Sequence, residues 1–428
     1  MLSNRFSALR HRDFRLYWFG YVISVSGQQM LWMLEGWLIY EMTGSKVYLG
    51  LHAFAQAVPA TALVLVGGVI ADKFDQRKLL IAVQIGNIVL LSLLAGLALT
   101  EYLEIWHILT IAFMHSAVGS FENPARQSMF PHLVDRAAMP NAIGLNSSIH
   151  PGTRIGAPVV GGFILKFVFD ATGSAEIAAG TVLLLTVAGI MVYTVTLLKI
   201  HLPPIKRSQH GSMLQSMAEG AKFIWRERVF AFLIGLAWYN MAFGISFTVL
   251  LPVIAKDILH VDAGSLGMMW GAQGIGSMAG VILSSHYAKP WHQRRSLIFN
   301  PILLGGAMIA LAFIPVYWVS LITFFLIGMG ASATNVAIQQ NLQLLVPNEL
   351  RGRVMGVWSI VHTSIRPMGE VQFSALAIIA APLSLVVGGA MLIAGSILFT
   401  APSKYGKQLA DLRQLALDEA ATHAKADA

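Results

Sequence analysis

Five charged residues stand inside long apolar runs of this 428-residue chain: Glu35, Glu122, Arg154, Arg366 and Glu370. A charge in the middle of an apolar helix costs roughly 2.5–3.5 kcal/mol on membrane-insertion scales, so such residues mark proton sites, ligand sites or structural ion pairs. Arg366 and Glu370 are four apart, which puts them on one helix face where they can pair. Counted from Val354, Glu370 lies about 24 Å along a helix, deep in an apolar layer about 30 Å thick. Either proton or substrate coupling would suit it there, as would a buried structural pair. Glu122 is close to Arg126 and reads first as its structural partner. Glu35 stands near the end of the first run, where a coupling role and a polar end position are equally open. Arg154 could bind an anionic group or neutralise a carboxylate. His115 can titrate near neutrality, but a histidine in an apolar run more often packs through a hydrogen bond. Gln28, Gln29, Trp32, Trp238, Tyr239, Asn240, Gln273, Asn335 and Gln339 could line an amphipathic cavity. The 19 methionines, Met268 and Met269 among them, suit promiscuous apolar ligands and plain packing alike.

The elements that would position these groups are membrane spans. Hydrophobic residues make up 56% of the chain and charged residues 12%, about half the usual share for a soluble protein. Mean hydropathy is +0.66. Disorder is excluded by the same figures, and a disulfide scaffold by the absence of cysteine. Twelve runs are long enough to span a bilayer as helices: 15–41, 47–71, 79–100, 104–125, 140–166, 176–198, 229–255, 263–287, 297–315, 317–339, 354–378 and 381–402. The last two meet at a very short turn around Ala380 and Pro382. The basic N-terminal segment lacks a cleavage site, so no removable signal is expected. There is no G-x-x-x-x-G-K-[ST] phosphate loop, no metal-ligand spacing and no nucleophile elbow. Neither an enzyme nor an ATP-driven machine is expected. No cofactor, metal or nucleic-acid partner is implied.

Charge orients the spans. With the N-terminus inside, 24 of the 29 Lys and Arg residues fall on the inner side. Lys46, Lys166 and Lys256 fall outside, and Arg154 and Arg366 lie within runs. This is a strong positive-inside signal, with both termini cytoplasmic. The chain also repeats itself. Ala71 to Lys78 aligns with Ala288 to Arg295 at an offset of 217, and Gln127 to Pro131 with Gln343 to Pro347 at 216. The expected organisation is a six-helix bundle over 1–200, a linker over 201–228 with an amphipathic helix from Ser212 to Arg228, a second six-helix bundle over 229–402, and a cytoplasmic tail over 403–428. Paired repeats of this kind place a substrate site between halves near the midplane.

Two motifs then carry a resemblance. Gly68-Val69-Ile70-Ala71-Asp72-Lys73-Phe74-Asp75-Gln76-Arg77-Lys78 resembles the loop pattern G-x-x-x-D-[RK]-x-G-x-[RK]-[RK] of the major facilitator superfamily, with Asp75 for the usual glycine. Ala157-Pro158-Val159-Val160-Gly161-Gly162 resembles the antiporter pattern G-P-x-x-G-G. Similar phrases stand at Trp37 to Ser45, Asn123 to Gln127, Leu251 to Leu259 and Val346 to Arg353. The chain is similar, over nearly its whole length, to the drug:proton antiporter group, which includes macrolide, tetracycline and enterobactin exporters. The fourth-helix pattern R-x-x-x-G is missing; His115 stands four residues before Gly119.

The resemblance implies an all-α membrane protein with twelve transmembrane helices in two pseudo-symmetric bundles. It implies proton-coupled efflux of small amphipathic compounds across a bacterial inner membrane by alternating access, by a monomer driven by the proton motive force. Gly68, Asp72, Arg77 and Lys78 would form a gating latch, an acid being unnecessary for mere anchoring. Pro158, Gly161 and Gly162 would form a bend or a close helix contact. A metabolite importer of the same fold, or a non-transporting membrane receptor or scaffold, are the alternatives.

Overall fold

The computed structural model describes residues 7–73, 75–135, 137–201, 213–286, 290–406, 408–409, 411–412 and 414. Inside its helices the description excludes the side chains of 64–73, 213–217, 285–286, 290–293, 348–349 and 362–364. Every regular element among the described residues is helical. The first half holds α1 (Arg12–Thr43), α2 (Lys46–Lys73), α3 (Gln76–Leu99), α4 (Ile105–Gly119), α5 (Glu122–Met129), α6 (Met139–Ser147), α7 (Ile149–Thr172) and α8 (Ala175–Lys199). The second holds α9 (Met213–Arg226), α10 (Arg228–Phe243), α11 (Leu251–Val253), α12 (Ala263–His286), α13 (Pro290–Phe313), α14 (Tyr317–Leu345), α15 (Asn348–Ile379) and α16 (Ala381–Gly395).

The helix ends follow local chemistry. Asp75 caps α3 by accepting from the Lys78 amide at 2.9 Å, and Ser174 caps α8 from Ile177 at 3.3 Å. Gly44 (φ +59°) and Gly173 (φ +71°) end α1 and α7 in the left-handed conformation that favours glycine. Ala380 alone, in an extended conformation, joins α15 to α16.

All twelve expected runs are helical. Eight helical segments are long and apolar enough to cross a membrane by length and composition alone, among the described residues. Polar groups dilute α1 (Gln28, Gln29, Glu35) and α15 (Arg366, Glu370). Three expected spans are interrupted, each at proline or glycine. The fourth stops at Gly119 and resumes as α5, because the Pro124 ring would clash with the Ser120 carbonyl of a continuous helix. Pro151 breaks the fifth in the same way at Ser148, and that span runs on to Thr172, beyond the expected 166. The seventh breaks at Gly244, where a Cβ would lie 2.3 Å from the Asn240 carbonyl oxygen. It continues as a 3-10 turn (Ile245–Leu250), α11 and a π turn (Ile254–Ile258).

The chain forms two compact units, Met1–His210 with Leu251–Gly271, and Gly211–Leu250 with Ala272–Ala428. In the first, α1 packs on α7 and α8, α3 on α8, and α2 on α4. In the second, α10 packs on α15, α13 on α14 and α16, and α9 on α15. The third span meets the sixth in each unit, and the first meets the fifth, as a duplicated six-helix design requires. Within the second unit, glycines let α12 and α14 touch backbone to backbone: a Cβ on Gly280 would lie 2.4 Å from the Met329 carbonyl oxygen. The linker helix α9 belongs to this unit, and its Glu219 pairs with Arg353.

Candidate functional site

Glu35 is buried in the first unit, 4% exposed. It lies about two turns before the end of α1. The adjacent α2 brings His52 Nε2 to 3.4 Å from Glu35 Oε2, and Gln56 Nε2 to 3.3 Å from the same oxygen. Gln56 Nε2 also lies 2.9 Å from His52 Nε2. The Gln56 backbone is fixed in turn, since Ser116 Oγ of α4 donates to its carbonyl at 2.7 Å. His115, the neighbour of Ser116, interacts electrostatically with Glu35. Three helices thus converge a carboxylate, an imidazole and an amide. His52 and Gln56 are not among the residues expected from the sequence. Their i, i+4 spacing on α2 was visible, but pairing across to α1 was not.

A second polar group gathers around Arg126, which is 9% exposed. Its guanidinium lies 4.6 Å from the Tyr21 ring centroid, a cation–π contact, and Nη2 donates to Asn123 at 2.5 Å. Tyr17 stacks on Tyr21 at 5.6 Å, and Tyr193 closes the cage. The Tyr17 hydroxyl donates to Asn146 at 3.0 Å, and that of Tyr21 lies 3.1 Å from His150 Nε2. Glu122 lies near enough to interact with Arg126 electrostatically. The expected Glu122–Arg126 partnership is therefore electrostatic, while the contacts of Arg126 are aromatic and amide. Arg154, half-buried on α7, contributes to the field at His150.

In the second unit Arg366 Nε donates to Glu370 Oε1 at 2.8 Å. The pair sits against the break in the seventh span, where Ser246 Oγ donates to the Arg366 carbonyl at 2.9 Å. Asn240 and Gln273 are buried, with Asn240 Oδ1 and Gln273 Oε1 lacking hydrogen-bond partners. Gln28, Trp32 and Asn335 are half-buried, and Gln339 is exposed.

The proline–glycine motif makes a close seam in the first unit. A Cβ on Gly162 would lie 2.6 Å from the Ala263 carbonyl oxygen, and one on Gly267 2.6 Å from that of Pro158. Gly161 receives Met30 of α1. At this end of α7, Lys166 binds Asp170 and Asp262, each at 3.0 Å. Asp262 also caps α12 through the Ser265 amide. Burial would raise the Asp262 pKa, but the Ser265 amide and Lys166 outweigh it and hold the carboxyl below its ordinary value. Of the expected latch, Arg77 donates to the carbonyls of Leu197 and Leu198 at 2.7 and 2.6 Å, tying α3 to the end of α8. Lys78 lends its amide to Asp75. The side chains of Gly68 and Asp72 lie outside the described residues.

Residues 3–417 match the family model described as "Transmembrane secretion effector". The chain belongs to that family, within the major facilitator superfamily. This secretion-effector chain is 22% identical over 349 residues to "Multidrug efflux pump Tap" of Mycolicibacterium fortuitum, covering 80% of this chain and 83% of that protein. It is 22% identical over 341 residues to "Staphyloferrin A transporter" of Staphylococcus aureus, covering 79% and 83%. Its fold is similar to the solved structure of a bacterial homologue of the human lysosomal transporter Spinster, with TM-score 0.70, 13% identity and coverage of 94% and 97%. The secretion-effector chain is therefore a multi-pass membrane transporter acting on small molecules, not an enzyme, with the twelve-helix major facilitator fold.

Proposed function

We propose that the protein exports small amphipathic compounds across the bacterial inner membrane in exchange for protons. Both termini would be cytoplasmic and the working unit a monomer. The observation that carries this reading is a paired carboxylate on an expected span of each unit, Glu35 beside His52 and Glu370 beside Arg366. Neither is needed for insertion, and each costs free energy in an apolar layer, which a coupling role would explain. The named multidrug efflux pump among its relatives favours export over import. The mechanism would be alternating access, one six-helix half moving against the other. No bound cofactor is required; the proton gradient is the driver. The test is purified protein in liposomes, with an imposed pH gradient and a panel of amphipathic dyes and drugs. At least one compound should accumulate against its gradient and collapse when a protonophore is added. Accumulation indifferent to the protonophore across the panel would remove proton coupling from the account.

A further inference from the structure

The two intramembrane carboxylates have partners of different kinds. Arg366 keeps its charge at every accessible pH, so the Glu370 pair is already balanced without a proton. The partner of Glu35 is an imidazole, a group that, unlike a guanidinium, exchanges a proton near neutral pH. We propose that Glu35, His52 and Gln56 form a one-proton exchange site, that His52 Nε2 takes the proton, and that the exchanged substrate class is amphipathic organic cations. This deepens the proton-coupled reading above and rests on it.

The hydrogen bonds define the proton-free state. An amide NH2 group only donates. Gln56 Nε2 lies 3.3 Å from Glu35 Oε2 and 2.9 Å from His52 Nε2, so both neighbours accept from it. In the proposed proton-free state Glu35 is ionised and His52 is neutral with its ring hydrogen on Nδ1. The site carries one negative charge. A proton arriving from water binds the lone pair of Nε2, forming one N–H bond and breaking none within the site. Nε2 now donates and can no longer accept from the amide. The Gln56 amide must turn over and present its oxygen, and the new N–H faces Glu35 Oε2, 3.4 Å away. The net charge rises to zero. Loss of the proton to the other side reverses each step. A buried negative site attracts a cation and a neutral one does not, so proton and organic cation compete for the same compensation.

Among the described residues, no other titratable side chain is in contact with Glu35. From α2 it meets His52 and Gln56, and from α4 His115 acts on it through space. On α7, Lys166 is bound to Asp170 and Asp262, and Arg154 acts on His150. On α8 it is Glu176, which interacts with Glu101. After α11, Lys256 is bound to Glu41 at 2.9 Å, and Asp257 accepts from the Tyr40 hydroxyl at 2.5 Å.

The full-length protein in detergent and in liposomes, with ethidium as the cationic probe, tests the proposal. Between pH 8 and pH 5, wild type should bind about one proton more than H52Q, and ethidium should release that proton. In liposomes, pH-driven ethidium accumulation should fall at least about tenfold in H52Q and E35Q. Q56L leaves both titratable groups but removes the amide between them; it should lower ethidium-induced proton release several-fold and serves if H52Q does not fold. Proton release and pH-driven accumulation retained by H52Q, or by Q56L in its place, would overturn the proposal. A wild type that does not bind ethidium overturns the cation class. One that moves ethidium without moving protons sinks the proton-coupled reading itself, a different failure.

Discussion

Arg126 shows how a single buried charge organises its surroundings. Its cation is enclosed by Tyr17, Tyr21 and Tyr193, and Glu122 interacts with it through space. Removing one member of a buried charge pair strands the other, at a cost of about 3–5 kcal/mol when the pair is in contact. Here the charges are not in direct contact, so R126M should cost near the lower end, about 3 kcal/mol. E122Q/R126M should recover part of that, because neither charge is then left alone. Thermal unfolding of the single and double variants in detergent measures both; a double variant less stable than R126M would show that Glu122 does not balance this charge. The sequence exposed Glu122, Arg126, Glu35, Arg366 and Glu370 because charge in an apolar run is conspicuous. It exposed the Arg366–Glu370 contact because both residues share one helix. The tyrosine cage and His52 were hidden for the converse reason. Their contacts cross between helices, and neither a tyrosine nor a histidine near the end of a run stands out from its neighbours.

At the level of elements, the seam between α7 and the start of α12 depends on missing side chains. A Cβ at Gly162 would sit 2.6 Å from a backbone oxygen that no rotamer change can move, whereas one at Gly156 meets nothing within 4 Å. Gly162→Ala should therefore force the helices apart and lower transport and folded yield. Gly156→Ala, on the same helix, should leave both near wild type, and equal behaviour of the two variants in a transport assay would refute the seam. Beside it, Asp262 ties the α12 cap to Lys166. Its folded pKa is depressed below the ordinary 3.8, so its contribution is whole above that value and is lost only as pH falls through the depressed one. Unfolding temperature should show no Asp262-dependent change from pH 8 to pH 5, while D262A should cost about 1 kcal/mol through the lost cap at any pH in that window. A D262A penalty that disappears by pH 5 would contradict this. The motif drew attention to Pro158, Gly161 and Gly162, but the sequence did not name the partner helix. Prolines were ambiguous in another way: Pro124 and Pro151 fall where helices break, whereas Pro158 and Pro367 lie inside continuous ones. Local sterics are the same in each case, and tertiary packing decides.

For the whole molecule, the duplication was legible because two short loop matches recur at nearly one offset, and the same helix pairings recur in both units. Orientation in the membrane rests on charge alone. The expected topology puts 24 of the 29 basic residues on one side, and an odd number of misplaced spans would scatter them. Lys166 refines the picture at one of the three exceptions. It lies inside α7, and its charge is taken up by Asp170 and Asp262, so it does not weigh against the rule. The loop around Lys206 lies outside the described residues, but it follows α8 and precedes α10, between the sixth and seventh spans. A reporter fused at Lys206 should be cytoplasmic, and one fused at Asp170, five spans from the N-terminus, should be on the opposite face. An enzyme active only in the cytoplasm and one active only outside it, placed at each position in turn, give four readings. Reciprocal activity at the two sites is expected. The same side for both would mean that the sixth span, α8, does not cross; a cytoplasmic Asp170 with Lys206 outside would mean that one of the first five spans, the interrupted fourth or fifth first among them, does not cross, and the positive-inside balance would then have to be redrawn from that helix onward.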